Sequence, residues 1–144
     1  MRARKVSAVL CLLMFLTLFA GCTAAKGSVK VRQGNDLTKT VDLTQQETTR
    51  VEGNTKDASG DVKVDADGIL VSDVLMAAGI ESSWIGNISV ESRDKNTVEL
   101  TGTELNMANK AYLVAQDDGS WDLVVLGDDG FVLKDVVFLH AQNI

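Results

Sequence analysis

Several residue types that build active sites are scarce in this sequence. It has no proline, a single histidine and two cysteines among its 144 residues. His140 cannot form a histidine-rich metal site alone, and no serine, histidine and aspartate set can be assembled around it. We expect it to lie at the end of an apolar strand, bonded to a backbone carbonyl. No catalytic residues are therefore predicted.

The first 21 residues have the layout of a secretory signal. Three basic side chains in residues 2–5 precede an apolar run over residues 6–20, and small residues lead to Cys22. A membrane-spanning helix needs roughly 20 apolar residues, whereas polar Thr23 and Lys26 follow this run closely. The sequence therefore predicts export followed by cleavage.

Residues 18–22, LFAGC, resemble the lipobox of bacterial lipoproteins. The resemblance implies that the Cys22 thiol takes a diacylglyceryl group, that residues 1–21 are removed, and that the new amino terminus is acylated, for example with palmitate. Two or three acyl chains, each stabilised by about 0.8 kcal/mol per buried methylene, hold a protein firmly on a bilayer. We expect an extracytoplasmic protein anchored to the cell membrane by lipid. The alternative is an ordinary signal peptide with a cysteine near its cleavage site.

Cleavage would change the charge and the cysteine content of the chain. It leaves 11 basic and 20 acidic side chains, a net charge of about -9, which repels nucleic acid and anionic lipid headgroups. Cys11 leaves with the signal and Cys22 carries lipid, so the mature part has no disulfide and must fold by packing alone. The remaining length suits one domain. We predict a lipidated tether over residues 22–36, with room for one short strand near its end, and a domain over residues 37–144.

Short apolar alternations in the domain predict strands, and one segment predicts a helix. In residues 72–78, Ser72 suits the N-cap, Asp73 the first turn and Gly79 a left-handed C-terminal position. Two Asp-Asp-Gly sequences, at 117–119 and 128–130, indicate hairpin turns, and residues 103–107 suit one further helical turn. The prediction is a compact α+β fold, mostly antiparallel β with one or two short helices. Strands are predicted over residues 40–43, 48–52, 62–64, 88–92, 97–100, 111–115, 121–126 and 131–140.

Some of the acidic residues are candidate metal ligands. Residues 65–68, Asp-Ala-Asp-Gly, look like part of a calcium loop, but Lys63 precedes them and no acidic residue closes the loop near Met76. A solvated turn is the interpretation, and hairpin chemistry explains the two Asp-Asp pairs. No metal site is predicted. Trp84 is expected in the core or at its rim, with a role as a binding anchor as the alternative.

Four segments resemble, in the same order, motifs of the oxidoreductase molybdopterin-binding domain of the sulfite-oxidase family. Together they cover roughly residues 38–144. They are GILVSDVLMAAGI at residues 68–80, VESRD at 90–94, AYL at 111–113 followed by DDG at 117–119, and LVVLG at 123–127 followed by Gly130, Lys134 and Val137. The resemblance implies a compact α+β domain that, in the enzymes, holds a molybdenum-pterin cofactor and acts on small oxo compounds such as sulfite.

The resemblance also implies where the cofactor would bind. In the family a cysteine, commonly within C-A-G-N, ligates molybdenum, and the best counterpart here is residues 51–54, VEGN. Val51 stands at the ligand position and has no lone pair for a metal. The candidate pocket is Val51, Gly53 and Asn54, with Arg50 and Arg93. Only three arginines follow residue 21, which is few for holding a phosphorylated cofactor bidentately.

The sequence therefore favours a lipid-anchored, non-catalytic binding or accessory module of this fold, without a cofactor. Its expected partners are the bilayer and an envelope protein or small molecule, and not nucleic acid. The alternatives are a molybdopterin-dependent oxidoreductase, or a subunit of one, and a structural envelope protein with an unrelated β-rich fold. The unrelated fold is favoured if residues 72–78 do not pack on the strands around Val90 and Val124.

Overall fold

The computed structural model describes residues 26–81, 85–101 and 110–143. Within these ranges the chain forms ten strands and one short α-helix. The elements are β1 (Ser28–Gln33), β2 (Lys39–Asp42), β3 (Thr49–Asp57), β4 (Gly60–Leu70), α1 (Val71–Ala77), β5 (Asn87–Ser92), β6 (Thr97–Thr101), β7 (Ala111–Ala115), β8 (Trp121–Val125), β9 (Phe131–Leu133) and β10 (Val136–Gln142), with a 3-10 turn at Leu43–Gln45.

The strands form two five-stranded sheets. The first sheet has the order β2-β1-β10-β5-β6 and the second β3-β4-β7-β8-β9. Every strand pair is antiparallel except β1 and β10, which run parallel. The predicted fold class is thus confirmed at the level of a compact, mostly antiparallel β domain with one short helix in the described ranges.

Two hydrophobic cores hold the sheets. The main core contains side chains from both sheets and from α1, including Val90, Val74 and Leu123. The second core lies on the other face of the second sheet and includes Val51 and Val114. That sheet curls, so that its edge strand β3 approaches β8 and β9.

The strands β7 and β8 are buried on both faces. In β7, Ala111 and Leu113 face the main core, while Tyr112 and Val114 face the second core. A strand that contributes to two cores has an almost continuous apolar sequence instead of an alternating one. This explains why residues 111–115 are predicted as a strand with correct bounds although they show no alternation.

The folded domain begins earlier than predicted. Strand β1 lies within the segment assigned to the tether, yet Val29 and Val31 are buried in the main core and β1 pairs with both β2 and β10. The boundary at residue 37 is therefore too far along the chain. Alternation over six residues is a weak signal, and the partner strand β10 lies about a hundred residues away in sequence.

The helix begins one residue before its predicted start and without the predicted cap. Strand β4 continues directly into α1, with Leu70 at the N-cap position and no side-chain hydrogen bond there, so Ser72 lies inside the helix. The other expectations hold. Asp73 is in the first turn, Val74 and Leu75 are fully buried, and Gly79 is left-handed with φ of 84°.

Two further predictions are wrong. Residues 65–68 lie within β4 and therefore do not form a turn. The side chains of Asp65 and Asp67 lie on the exposed face of that strand. The predicted strand 131–140 is two strands, separated where Asp135 adopts a positive φ of 55°. The strand predicted over residues 40–43 is present one residue earlier, as β2, and the Asp42 carboxylate at its end accepts a hydrogen bond from the Thr44 N–H at 3.0 Å. The helical turn predicted at 103–107 and Trp84 lie outside the described residues.

Candidate functional site

The position that the family resemblance assigns to the metal-binding cysteine lies in the second core. The Val51 side chain is 1% exposed and packs with Val64, Tyr112, Val114 and Val124. An isopropyl group has no donor atom, and its surroundings are apolar. In the described ranges no group of three histidine, cysteine or acidic side chains is placed to hold a metal. The residues present at Val51 therefore do not fit a molybdenum centre.

The two candidate arginines bind carboxylates in different parts of the fold. Arg50 of β3 donates to Asp65 at 2.8 Å and to Asp67 at 3.4 Å across the β3–β4 hairpin, and the hydrogen bond and charge of Asp65 raise its pKa. Arg93, after β5, donates to Asp135 at 2.9 Å. Of the predicted pocket residues, Arg50, Val51, Gly53 and Asn54 lie in β3, where Arg50 and Asn54 are exposed and Val51 is buried, and Arg93 is bonded to Asp135 elsewhere.

Gly53 and Asn54 instead contact the turn between β8 and β9. The Gly127 N–H donates to the Asn54 carbonyl at 2.8 Å, and a Cβ at Gly53 would lie 3.2 Å from Leu126 Cδ1. The curl of the second sheet thus joins two segments that the sequence singled out separately, residues 51–54 and 123–127. This is the one part of the predicted site that the fold brings together.

A cleft of about 500 Å³ lies beside this turn. We call it the turn cleft. Three carboxylates and one ammonium group line it together with apolar side chains, which gives the lining a net charge of -2. The lining residues are Glu99, Lys110, Val125, Leu126, Asp128, Asp129 and Phe131. Sequence reasoning missed Glu99 and Lys110, because they come from different sheets and share no motif.

The backbone of the turn is fixed by glycine and by short hydrogen bonds. Gly127 has a φ of 113° and accepts from the Gly130 N–H at 2.9 Å, while the Leu126 N–H donates to the Lys110 carbonyl at 2.9 Å. The prediction of a hairpin at residues 128–130 is correct, but the positive φ falls on Gly127. In the other hairpin it falls on Gly119, as expected, with φ of 88°.

Thr55 connects β3 to the two strands that flank the turn. Its hydroxyl is buried and lies 2.6 Å from the Val125 carbonyl and 3.4 Å from the Phe131 carbonyl. We expect Thr55→Val, which keeps the shape and removes the donor, to lower the free energy of unfolding by about 1–3 kcal/mol. Chemical denaturation measures this. Thr55→Ser, which keeps the hydroxyl, should lose less stability. Equal stability of the Val variant and the wild type would contradict the hydrogen bonds assigned to the Thr55 hydroxyl.

Acidic residues also lie at the opposite end of β8, in the turn that precedes Trp121. The Lys26 ammonium donates to the Asp118 carbonyl at 3.3 Å, and the Asp118 carboxylate accepts from the Ser120 N–H at 2.9 Å and from its hydroxyl. These bonds from Ser120 lower the pKa of Asp118. Lys26, Asp117, Asp118 and Ser120 define what we call the tether-side end.

Asp122, in β8 near this end, is buried and accepts a hydrogen bond from the Asp135 N–H at 2.9 Å. Its burial raises the pKa of the carboxyl above the ordinary value. The folded state therefore holds this proton more tightly than the unfolded state. Stability from this group is present at low pH and is lost as the pH rises from about 4 through the raised folded pKa.

We expect Asp122→Asn to remove this loss and to raise stability at neutral pH, because the amide oxygen can still accept from Asp135. One group contributes a slope of at most about 1.4 kcal/mol per pH unit. Denaturation midpoints measured from about pH 4 to pH 8 test this. Asp117→Asn, which changes an exposed carboxylate nearby, controls for the loss of one charge. A variant with the wild-type pH dependence would contradict the prediction.

His140 lies within β10 and not at its end, but its predicted bond is present. Its Nε2 lies 2.9 Å from the Gly34 carbonyl. The Phe138 ring meets the imidazole edge-on, with centroids 6.3 Å apart. The histidine is therefore occupied by structural contacts.

No family model matches the chain, and no curated protein matches it. In the described part of the chain no helix is both long and apolar enough to cross a membrane.

Proposed function

We propose that this chain is an extracytoplasmic lipoprotein, anchored through Cys22, whose domain has the sulfite-oxidase molybdopterin-binding fold and serves as a non-catalytic binding module. The layout of residues 1–22 supports the anchor. The order of the four family-like segments supports the fold. Each of these supports is independent of the other, so each has its own test.

The placement of the family-like segments supports the fold proposal further. Residues 68–80 end β4, form α1 and close it at Gly79, and β4 pairs with β7, which pairs with β8. Three of the four segments are therefore neighbours in space. The helix shares the main core with Val90, Leu123 and Val125, whereas Val124 faces the second core. This packing favours the resemblance over an unrelated β-rich fold.

One observation carries the non-catalytic proposal: Val51 is packed in an apolar core while Gly53 and Asn54 contact the β8–β9 turn. The chain offers no thiolate at that position. What remains open next to these residues is the turn cleft, which is large enough for a small molecule or a peptide side chain. We therefore propose the turn cleft as the binding site.

The lining of the turn cleft indicates the ligand's chemistry. Glu99, Asp128 and Asp129 outnumber Lys110, and Leu126 and Phe131 supply apolar surface. A ligand that combines a positive charge with an apolar group matches this lining better than an anion does. Phosphate-bearing cofactors are disfavoured by the same charges.

Metal analysis of the purified mature domain tests the first part of the proposal. We expect molybdenum far below one equivalent per chain. Stoichiometric molybdenum would overturn it and establish the oxidoreductase alternative. Val51→Cys is a useful companion, because a thiol added inside an apolar core should not confer metal binding.

Ligand titration followed by NMR tests the second part. The probe is 2-phenylethylammonium, and its neutral analogue 2-phenylethanol is the control. We expect the cation to shift the amide signals around Leu126 and Phe131 more than the alcohol does, and Asp129→Asn to weaken that response. Asp117→Asn is the matched control at the other turn. Equal responses to both probes, or shifts confined to other strands, would refute this site.

A further inference from the structure

The point where the chain enters the domain restricts how the domain can sit on a membrane. Lys26 is bonded to Asp118 at the tether-side end, and the Lys26 side chain also lies 3.8 Å from a Cβ position at Gly119. Only three residues lie between Cys22 and Lys26, so four residue steps join them. A fully extended chain of four residues spans at most about 14 Å.

The tether-side end and the turn cleft lie at opposite ends of β8. The turn at residues 117–119 precedes Trp121, and the turn at 126–130 follows Val125. Four steps along an antiparallel strand cover roughly 14 Å, and the two turns add to that separation. One end cannot approach the anchor without the other pointing away from it.

Charge does not supply the attraction at the tether-side end. The cleft there is lined by four carboxylates, those of Asp117, Asp118, Asp122 and Asp135, and one ammonium, that of Lys134. Headgroups of anionic lipids repel such a surface. A short tether, and not headgroup binding, would keep this end close to the bilayer, so raised salt, which screens the repulsion, should not release it.

We propose that the acyl anchor on Cys22 holds the tether-side end at the bilayer surface and presents the turn cleft to the aqueous side. The cleft then receives a soluble ligand or the exposed side chain of a soluble partner, and not a membrane lipid. This inference depends on the proposed lipidation of Cys22. It adds the orientation, which neither the anchor nor the cleft specifies alone.

The experiment uses the lipidated full chain in vesicles with two single-cysteine variants, Asp117→Cys and Asp129→Cys. Both residues are exposed aspartates of an Asp-Asp-Gly turn, the first aspartate of one turn and the second of the other, so they are matched in residue type and exposure. Cys22 carries lipid and Cys11 is lost with the signal, so a thiol-reactive fluorophore labels only the new site. Quenching by nitroxide on lipid headgroups then reports proximity to the bilayer.

We expect at least about twofold more quenching at position 117 than at 129, given the separation of roughly 14 Å or more along β8. The ratio should persist at raised ionic strength. Equal or reversed quenching on vesicle-bound protein overturns the orientation and leaves the anchor intact. Failure of the unlabelled protein to float with vesicles overturns the lipidation itself, so the two failures are distinguishable. Thermal unfolding of both variants verifies that each is folded.

Discussion

Changing Cys22 to alanine is expected to release the protein from the membrane or to leave it as an unprocessed precursor. The thiol is the only atom at this position that can take a diacylglyceryl group, and two or three acyl chains provide most of the proposed membrane affinity. Flotation of membranes, together with the mass of the product, measures both outcomes. We expect nearly complete loss of the processed, membrane-bound form.

Cys11→Ala is the matched control. It removes the other cysteine of the chain within the segment proposed to be cleaved, so processing and flotation should match those of the wild type. If Cys22→Ala is processed and floats like the wild type, the lipoprotein proposal is wrong. The alternative of an ordinary signal peptide predicts a released wild-type protein as well.

The second large effect is expected at Gly130. A Cβ there would overlap the Val125 carbonyl and lie 2.7 Å from the Thr55 hydroxyl oxygen and 2.8 Å from the Gly127 carbonyl oxygen. Two of these three atoms belong to the backbone, which cannot move aside as a side chain does. We expect Gly130→Ala to cost about 3 kcal/mol of stability, at the upper end of overpacking effects.

Gly53→Ala is its control. The nearest atoms there belong to the Leu126 side chain, at 3.2 and 3.3 Å, and a leucine end can rotate. The loss should stay below about 1 kcal/mol. Denaturant titration of both variants compares the two. Equal losses would mean that the β8–β9 turn is not as tightly packed against β3 as the structure indicates.

The sequence predicted those elements whose signal is local. Gly79 follows the end of α1, where a left-handed residue is needed. The apolar face of the helix, which includes Val74 and Leu75, follows helical spacing. Strands β5, β6 and β7 were placed within one residue of their observed ends. Each of these signals is contained in about ten consecutive residues.

The errors concern residues whose state depends on distant ones. Ser72 does not cap α1 because β4 runs into the helix at Leu70. The composition around Asp65 and Asp67 is typical of a turn. Strand β4 nevertheless continues through them, because β3 pairs with β4 from Gly60 to Gly68. Strand β1 was assigned to the tether because its partner β10 lies at the other end of the chain.

The candidate site was predictable only in pieces. Residues 51–54 and 123–127 were singled out, but nothing local indicates that Gly127 bonds to Asn54. That contact requires the curl of the second sheet. Arg50 was a candidate residue of the cofactor pocket, whereas its partner is Asp65 on the neighbouring strand. The sequence alone does not show which residues face each other across two strands.

Because β7 and β8 are buried on both faces, we expect them to be the last part of the domain to unfold. Separating these two strands would disrupt both hydrophobic cores, because each core takes side chains from both. Local fluctuations that free their amides should therefore require global unfolding, and native-state hydrogen exchange there should report the full free energy of unfolding. Tyr112 to Val114 and Leu123 to Val125 should exchange last, and partial unfolding should be confined to the edge strands of the two sheets.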